Sequence, residues 1–170
     1  GLNIDFERVS PDDRELYNSF LRRVVAALRP LNYPVGTALA PNTSAGQVGA
    51  WYGAHDYSAH GEIVDFVVLM TYEWGWSGGP PLPVAPLNQV KAVLDYAVTA
   101  IPRKKILMGM PLYGYDWPLP YLPHGSFAGR VSPQQAITLA ARHGAVIRYD
   151  EQAQSPFFNY YDAERVQHIV

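Results

Sequence analysis

The sequence has no cysteine. That excludes a disulfide framework, a thiolate zinc site and a thiol nucleophile. Charge is also scarce: charged residues make up 16% of the chain and the net charge is −2, so no cationic surface is available for nucleic acid or an anionic membrane. No apolar run approaches 18 residues and no leader pattern opens the chain. Any targeting segment would precede Gly1, because the chain starts inside a strand pattern. Internal repeats and low-complexity segments are absent too. Aromatic residues, by contrast, are plentiful at 13%, with 12 Tyr and 4 Trp. Such rings suit the platforms of sugar-binding clefts, but cores and interfaces consume them as well. At 170 residues, the chain is long enough for one domain with a sizeable core.

The first seven residues, Gly1-Leu2-Asn3-Ile4-Asp5-Phe6-Glu7, alternate in polarity. This predicts a strand with Leu2, Ile4 and Phe6 turned into apolar packing and Asn3, Asp5 and Glu7 in one file on the other face. Neighbours in that file stand about 6.5–7 Å apart along the backbone. Two carboxylates and an amide on one face are costly unless the face opens onto water or a polar site. A carboxyl group beside a carboxylate suits general acid–base chemistry. A solvated edge strand alternates in the same way, so the pattern alone leaves both readings open.

Further along, Ser10-Pro11-Asp12-Asp13 is a helix start, with Ser as N-cap and acids at the positive dipole end. Tyr17, Phe20, Leu21, Val24, Val25 and Leu28 follow at helical spacing as one buried stripe. Residues 35–40 read as a short buried strand, and residues 44–61 as partly helical despite their glycines. Residues 64–72 form the strongest strand, apolar almost throughout, as parallel strands covered on both faces are. After a loop rich in Gly, Pro and Trp, the helical stripe Val90, Val93, Leu94, Ala97, Val98, Ile101 precedes another apolar strand over 105–112. From Pro118 the composition changes. Ser132-Pro133-Gln134-Gln135 is a capping-box start, residues 145–149 and 157–161 read as strands of a hairpin-like excursion, and 167–170 as the start of another strand. Alternating strands and helices argue for a parallel sheet of βα units, either doubly wound or part of a (β/α)8 barrel. Asn3-Asp5-Glu7, Tyr72-Glu73 and Tyr113-Gly114-Tyr115 all fall at carboxyl ends of strands, where barrel enzymes build their sites, and this favours the barrel. A whole barrel takes about 250 residues, so only part of one is expected here.

These residues carry a resemblance. Residues 1–7 resemble all but the first position of the fourth-strand motif Asp-x-x-Asp-x-Asp-x-Glu of glycoside hydrolase family 18. Asn3 stands at the second acidic position, Asp5 at the third and Glu7 at the catalytic one. Met70-Thr71-Tyr72-Glu73 is similar to the family's sixth-strand Met-x-Tyr-Asp motif, and Pro111-Leu112-Tyr113-Gly114-Tyr115-Asp116-Trp117 to its seventh-strand signature. Tyr72-Glu73-Trp74-Gly75-Trp76-Ser77-Gly78-Gly79-Pro80-Pro81 resembles the bacterial spore-germination subgroup, peptidoglycan N-acetylglucosaminidases of the spore cortex. His55-Asp56-Tyr57 and Tyr149-Asp150-Glu151 fit the same subgroup. The resemblance covers essentially the whole chain.

The resemblance implies an α/β chain holding strands four to seven of a (β/α)8 barrel. Residues 1–117 would be barrel units, 118–162 a small α+β excursion, and 163–170 the start of the eighth strand. It implies an Asp before Gly1 and a Trp after Val170. It also implies substrate-assisted glycoside hydrolysis, the exception to the two-carboxylate scheme. Glu7 would be the acid/base, Asp5 would orient the acetamide, and Tyr72 would donate its hydroxyl to the acetamido oxygen. Asn3, Met70, Glu73, Trp74, Tyr113 and Tyr115 would line the sugar site. No cofactor or metal is implied. The partner would be an N-acetylated glycan in the spore, the cell wall or the extracellular space. Two positions depart from the pattern: Asn3 replaces an Asp, as in the spore subgroup, and Glu73 is one methylene longer than the family's Asp. His55 and His60, five apart, read as structural, and Asp150-Glu151 as a turn. Part of a barrel would expose unpaired sheet edges and apolar surface, predicting that these residues alone either self-associate or are marginally stable.

Overall fold

Parallel strands cannot be joined by a tight turn, so each must be followed by a crossover segment. The first part of the chain obeys this rule. In the computed structural model, which describes residues 1–47, 49, 52–125 and 127–170, four strands form a parallel sheet in chain order: β1 (Leu2–Ile4), β2 (Val35–Leu39), β3 (Phe66–Leu69) and β4 (Ile106–Met108). Helix α1 (Arg14–Leu28) crosses from β1 to β2, α2 (Tyr57–Ile63) lies between β2 and β3, and α3 (Leu87–Ala100) precedes β4. The described residues fall into two compact units. Gly1–Thr71 with Val90–Gly109 holds this sheet, and Tyr72–Gln89 with Met110–Val170 forms the second unit.

In the first unit, β2 is buried along its whole length. Leu2 of β1 pairs with Val35, and Leu39 of β2 with Leu69 of β3. Gly36 is required by a close approach: a Cβ there would meet the Phe66 ring at 2.2 Å. Helix α1 starts as expected. Ser10 accepts from the Asp12 amide, a 3₁₀ turn spans Pro11–Asp13, and Tyr17, Leu21 and Val25 are buried. Phe20, expected in that stripe, is 40% exposed. Asp56 caps α2 through the Ala59 amide and also holds Arg14 of α1, with Nη2 at 2.8 Å from Oδ2. At the other end of α2, the Lys105 ammonium donates to the Gly61 and Val64 carbonyls, both at 2.7 Å. A cation thus satisfies carbonyls that the last turn leaves open.

The second unit is antiparallel. β5 (Gly114–Leu119) pairs with β6 (Gly129–Val131) and with β10 (Gln167–Ile169), which also pairs with β9 (Asn159–Tyr161). β7 (Arg148–Asp150) and β8 (Ser155–Phe157) form a separate hairpin. Helix α4 (Pro133–Arg142) opens with the expected capping box, in which Ser132 and Gln135 exchange side-chain hydrogen bonds with each other's backbone amides. Asp116 ties three strands together. Its Oδ1 is 2.8 Å from His168 Nδ1 on β10, and its Oδ2 accepts from the Tyr160 hydroxyl on β9 at 2.6 Å.

Several expectations are corrected. β1 covers only Leu2–Ile4, and of its apolar file only Ile4 is buried; Leu2 and Phe6 are 43% and 49% exposed. As an outer strand with a single partner, β1 is covered incompletely. β4 is likewise an outer strand and shorter than the run 105–112. Leu107, Met108, Met110 and Leu112 are exposed rather than buried on both faces. The antiparallel part begins at Gly114, before Pro118, because β5 already pairs with β6. The hairpin is formed by 148–150 and 155–157, and Gln167–Ile169 is a central antiparallel strand, not a continuation of the parallel sheet. Within 44–61 the described helix is α2 alone; residues 48, 50 and 51 lie outside the described residues. Among the described residues, no helix is long and apolar enough to cross a membrane.

His60 lies in the core of the first unit, and neither ring nitrogen has a hydrogen-bond partner. Its ring meets Tyr17 edge-on at 4.9 Å. Burial, reinforced by the neighbouring His55, pushes its pKa from 6.5 down to about 3. In that interval the unfolded chain binds a proton that the folded chain does not, so stability falls as the pH drops below 6.5. The slope is about 1.4 kcal/mol per pH unit for this group. Urea unfolding at pH 7 and pH 5 should therefore show a stability loss about 2 kcal/mol smaller in His60→Leu than in the wild type. Equal losses would mean that His60 takes up its proton within the fold.

Candidate active site

The acidic file begins on β1 and continues past its end. Asn3, Asp5 and Glu7 are all exposed, while Ile4 among them is buried, at 6% exposure. The backbone that carries the two carboxylates is held from beneath. The Phe6 ring stacks on Phe20, with centroids 5.6 Å apart, and lies 5.8 Å from Tyr17. The Phe6 carbonyl is 3.0 Å from His55 Nε2, and His55 Nδ1 receives the Ala40 amide at 2.7 Å. With Nδ1 accepting, Nε2 carries the hydrogen and donates to Phe6. Burial lowers the His55 pKa, against smaller opposing effects of the Phe6 carbonyl and the Asp5 charge. The imidazole is therefore neutral. Burial likewise raises the Tyr17 hydroxyl, which shares a 3.1 Å hydrogen bond with Thr37; the Asp5 charge adds to the rise. Met70, half-buried after β3, donates its amide to the Leu39 carbonyl at 2.9 Å.

The second unit holds the other expected residues. Tyr72 is half-buried. Glu73 adopts φ 67°, a left-handed conformation unfavourable for a side chain of its size. Its Oε1 accepts two hydroxyls, from Tyr113 and Tyr115, each at 3.0 Å. Both phenols are raised, first by burial and then by the Glu73 carboxylate, with Arg130 working the other way. The Arg130 guanidinium lies 3.7 Å above the Tyr113 ring. Tyr115 is only 7% exposed and packs with Trp117 and Ala128, so its ring supports the cluster from within. Trp74 is half-buried, and its amide donates to the Val84 carbonyl at 3.1 Å. Gly75 is needed beside it, since a Cβ there would meet the Leu82 carbonyl at 1.9 Å.

Each unit thus assembles part of the expected set. Asn3, Asp5 and Glu7 share one exposed segment, and Glu73, Tyr113 and Tyr115 share one hydrogen-bonded cluster. Two participants escape a reading of the sequence. Arg130 reaches Tyr113 because β5 and β6 pair Tyr115 with Arg130, a register that no local pattern displays. His55, read as structural, is bonded directly to the peptide between the two carboxylates. Asp150 caps a turn through the Gln152 and Ala153 amides, as expected. Among the described residues, no group of three or more His, Asp or Glu side chains could hold a metal.

The model of the glycosyl hydrolases family 18 matches residues 1–169. The chain belongs to this family. It is 57% identical, over 99% of its length, to the cortical fragment-lytic enzyme of Bacillus subtilis (strain 168). It covers 39% of that relative, so it spans about two fifths of the relative's length. Among solved structures it resembles the Bacillus cereus spore cortex-lytic enzyme SleL, with TM-score 0.95 and 51% identity over 98% of this chain and 38% of that one. It also resembles a chitinase from Chromobacterium violaceum ATCC 12472, with TM-score 0.91 and 31% identity over 99% of this chain and 52% of that one.

In this family 18 chain, the Glu73 backbone and side chain make opposite contributions to stability. Glu73→Ala removes the acceptor of two hydroxyls and keeps the strain of the left-handed backbone, whereas Glu73→Gly removes the acceptor and that strain together. The glycine variant should be more stable than the alanine variant by about 1 kcal/mol, the reverse of the usual order, in paired urea unfolding curves. Alanine proving the more stable would show that φ 67° costs less than the extra chain entropy glycine loses on folding.

Proposed function

We propose that the full-length protein carrying this chain is a glycosidase that hydrolyses bonds next to N-acetylglucosamine in peptidoglycan, by substrate-assisted retaining catalysis. The reading rests above all on Glu7. It is an exposed carboxyl at the terminal position of the acidic motif, in a chain 57% identical to a cortical fragment-lytic enzyme. In the proposed reaction the substrate's acetamido oxygen attacks the anomeric carbon. The glycosidic bond breaks, and the departing oxygen takes a proton from Glu7. Asp5 orients the acetamido N–H and stabilises the positive charge of the cyclic intermediate, and the Tyr72 hydroxyl donates to the acetamido oxygen. Water, deprotonated by Glu7, then opens the intermediate. Asn3 supports Asp5, while Met70, Glu73, Trp74, Tyr113 and Tyr115 contribute to the sugar subsite. This chemistry needs no cofactor, and a substrate in spore cortex or cell wall puts the protein there.

The parallel sheet is, on the same reading, strands four to seven of a (β/α)8 barrel, with the antiparallel unit as its excursion. The exposed apolar residues of β4 and the open outer face of β1 then make residues 1–170 alone associate with one another. Light scattering on that isolated segment should report oligomers, and a stable monomer would refute the association.

The catalytic assignment is tested with full-length wild-type and Glu7→Gln proteins on peptidoglycan fragments and on chito-oligosaccharides. The variant should lose about 10²–10⁴-fold in kcat on the preferred substrate, the usual contribution of a positioned acid. Retained turnover in Glu7→Gln overturns the mechanism. Faster turnover of chito-oligosaccharides by the wild type moves the substrate to chitin, and binding without turnover makes the protein a glycan-binding relative.

A further inference from the structure

Asp5 and Glu7 lie beyond the last residue of β1, where no ladder hydrogen bond is assigned to their backbone. Two catalytic carboxyls on such a segment would wander unless something fixed the peptide between them, and an error of about 1 Å in placement costs about 10²-fold in rate. That peptide belongs to Phe6. Its half-exposed ring packs on one side against Phe20 and Tyr17, and its carbonyl accepts from His55 Nε2 at 3.0 Å. His55 is itself 3% exposed and anchored through Nδ1 to the Ala40 amide at the end of β2. Ala40 is further locked by Tyr57, whose hydroxyl donates to its carbonyl at 2.6 Å. The chain of contacts therefore runs from the buried central strand through one imidazole to the backbone between the two acids, and both ring nitrogens are used.

We propose that His55 is a positioning residue for the reaction: its Nε2–H to Phe6 carbonyl bond sets the direction of the 5–7 segment and so aims the Asp5 and Glu7 carboxyls. This rests on the reading of Glu7 and Asp5 as the catalytic pair. A histidine serving only the core would need no bond to this particular carbonyl. The imidazole bridges the end of the buried strand β2 and the outer segment with opposite hydrogen-bonding faces.

Two substitutions separate the halves of the bridge in the full-length protein. Asn at 55 places its amide near Nδ1 and reaches Ala40 but not Phe6; Gln places its amide near Nε2 and restores a donor to Phe6. On peptidoglycan fragments, His55→Asn should lose about 10²-fold in kcat with KM within about twofold of wild type, and His55→Gln should recover about tenfold of that loss. The pH profile of kcat should shift in His55→Asn, which a mere loss of folded enzyme would not cause. Nitrogen-15 spectra of the histidine-labelled wild type should show His55 as the neutral Nε2–H tautomer, a readout independent of whether either variant folds. An unchanged kcat in both variants, a loss that simply follows the melting temperature, or an Nδ1–H tautomer would overturn the positioning role. If the wild type turned over neither peptidoglycan nor chito-oligosaccharide, the reading of Glu7 would fall and the proposal with it. An active wild type indifferent to position 55 would defeat the proposal alone.

Discussion

The parallel pairing of β2 with β1 on one side and β3 on the other is the constraint on which the first unit depends. A central parallel strand is covered on both faces and so is nearly continuously apolar; β2 is buried at every position, and its one hydroxyl, on Thr37, is bonded to Tyr17. Parallel pairing also sends each chain segment out at the same end of the sheet. It therefore gathers the residues after β1, β2 and β3, namely Asp5 to Glu7, Ala40 to Asn42, and Met70 to Thr71. Backbone groups leaving the ladder there need new partners. The structure supplies them largely from buried side chains: His55 for Ala40 and Phe6, Tyr57 for Ala40 and Asn42, and Thr71 for Gly109. A sheet end built on polar anchors holds its exposed residues better than a loop packed only by apolar contacts, because hydrogen bonds fix direction as well as distance.

Local rules were legible in the sequence, and long-range ones were not. Ser10 and Ser132 announced their helices because capping is decided within three residues. The stripe of Tyr17, Leu21 and Val25 followed from helical periodicity alone. Strand length was overestimated at β1, β3 and β4. An apolar run says that residues favour burial, whereas a ladder ends where its partner ends. The same limit explains the C-terminal part: residues 148–150 pair with 155–157 and 159–161 with 167–169, a choice of partners made by tertiary packing. The roles proposed for Glu7, Asp5 and Tyr72 come from family resemblance, not from periodicity. Neither approach could find Arg130 above Tyr113, since that contact exists only through the β5–β6 register.

Glu73 illustrates how a departure from a family pattern is accommodated. A longer carboxylate reaches further from its backbone. Here the added length ends on two phenol hydroxyls, with the backbone turned to φ 67°. Residues in such sparsely populated conformations persist only where their surroundings over-determine them. Two charge-assisted hydrogen bonds, each worth more than a neutral one, are the surroundings in question. The same Tyr113 that donates to the carboxylate carries the Arg130 guanidinium 3.7 Å above its ring. An anion, two phenols and a guanidinium are thereby joined in one contact cluster, with Tyr115 on its buried side.

The two buried histidines of the first unit show how differently one side chain can be used in one core. Their rings are 6.3 Å apart, and burial keeps both uncharged. His55 satisfies both nitrogens, so its desolvation is offset by two directional bonds, and the fold gains a fixed link between the end of β2 and the segment bearing Asp5 and Glu7. His60 satisfies neither and forfeits the hydrogen bonds its ring made in water, a cost of about 1–3 kcal/mol for an unmet buried polar group. Their closeness couples them. A proton on His55 would raise the cost of a proton on His60, which deepens the preference of His60 for the neutral form. Neutrality is what the His55 bridge requires, because an imidazolium has no lone pair to receive the Ala40 amide. His60 does not set that state: burial lowers the His55 pKa against the Phe6 carbonyl and the Asp5 charge, and an uncharged neighbour adds no field of its own.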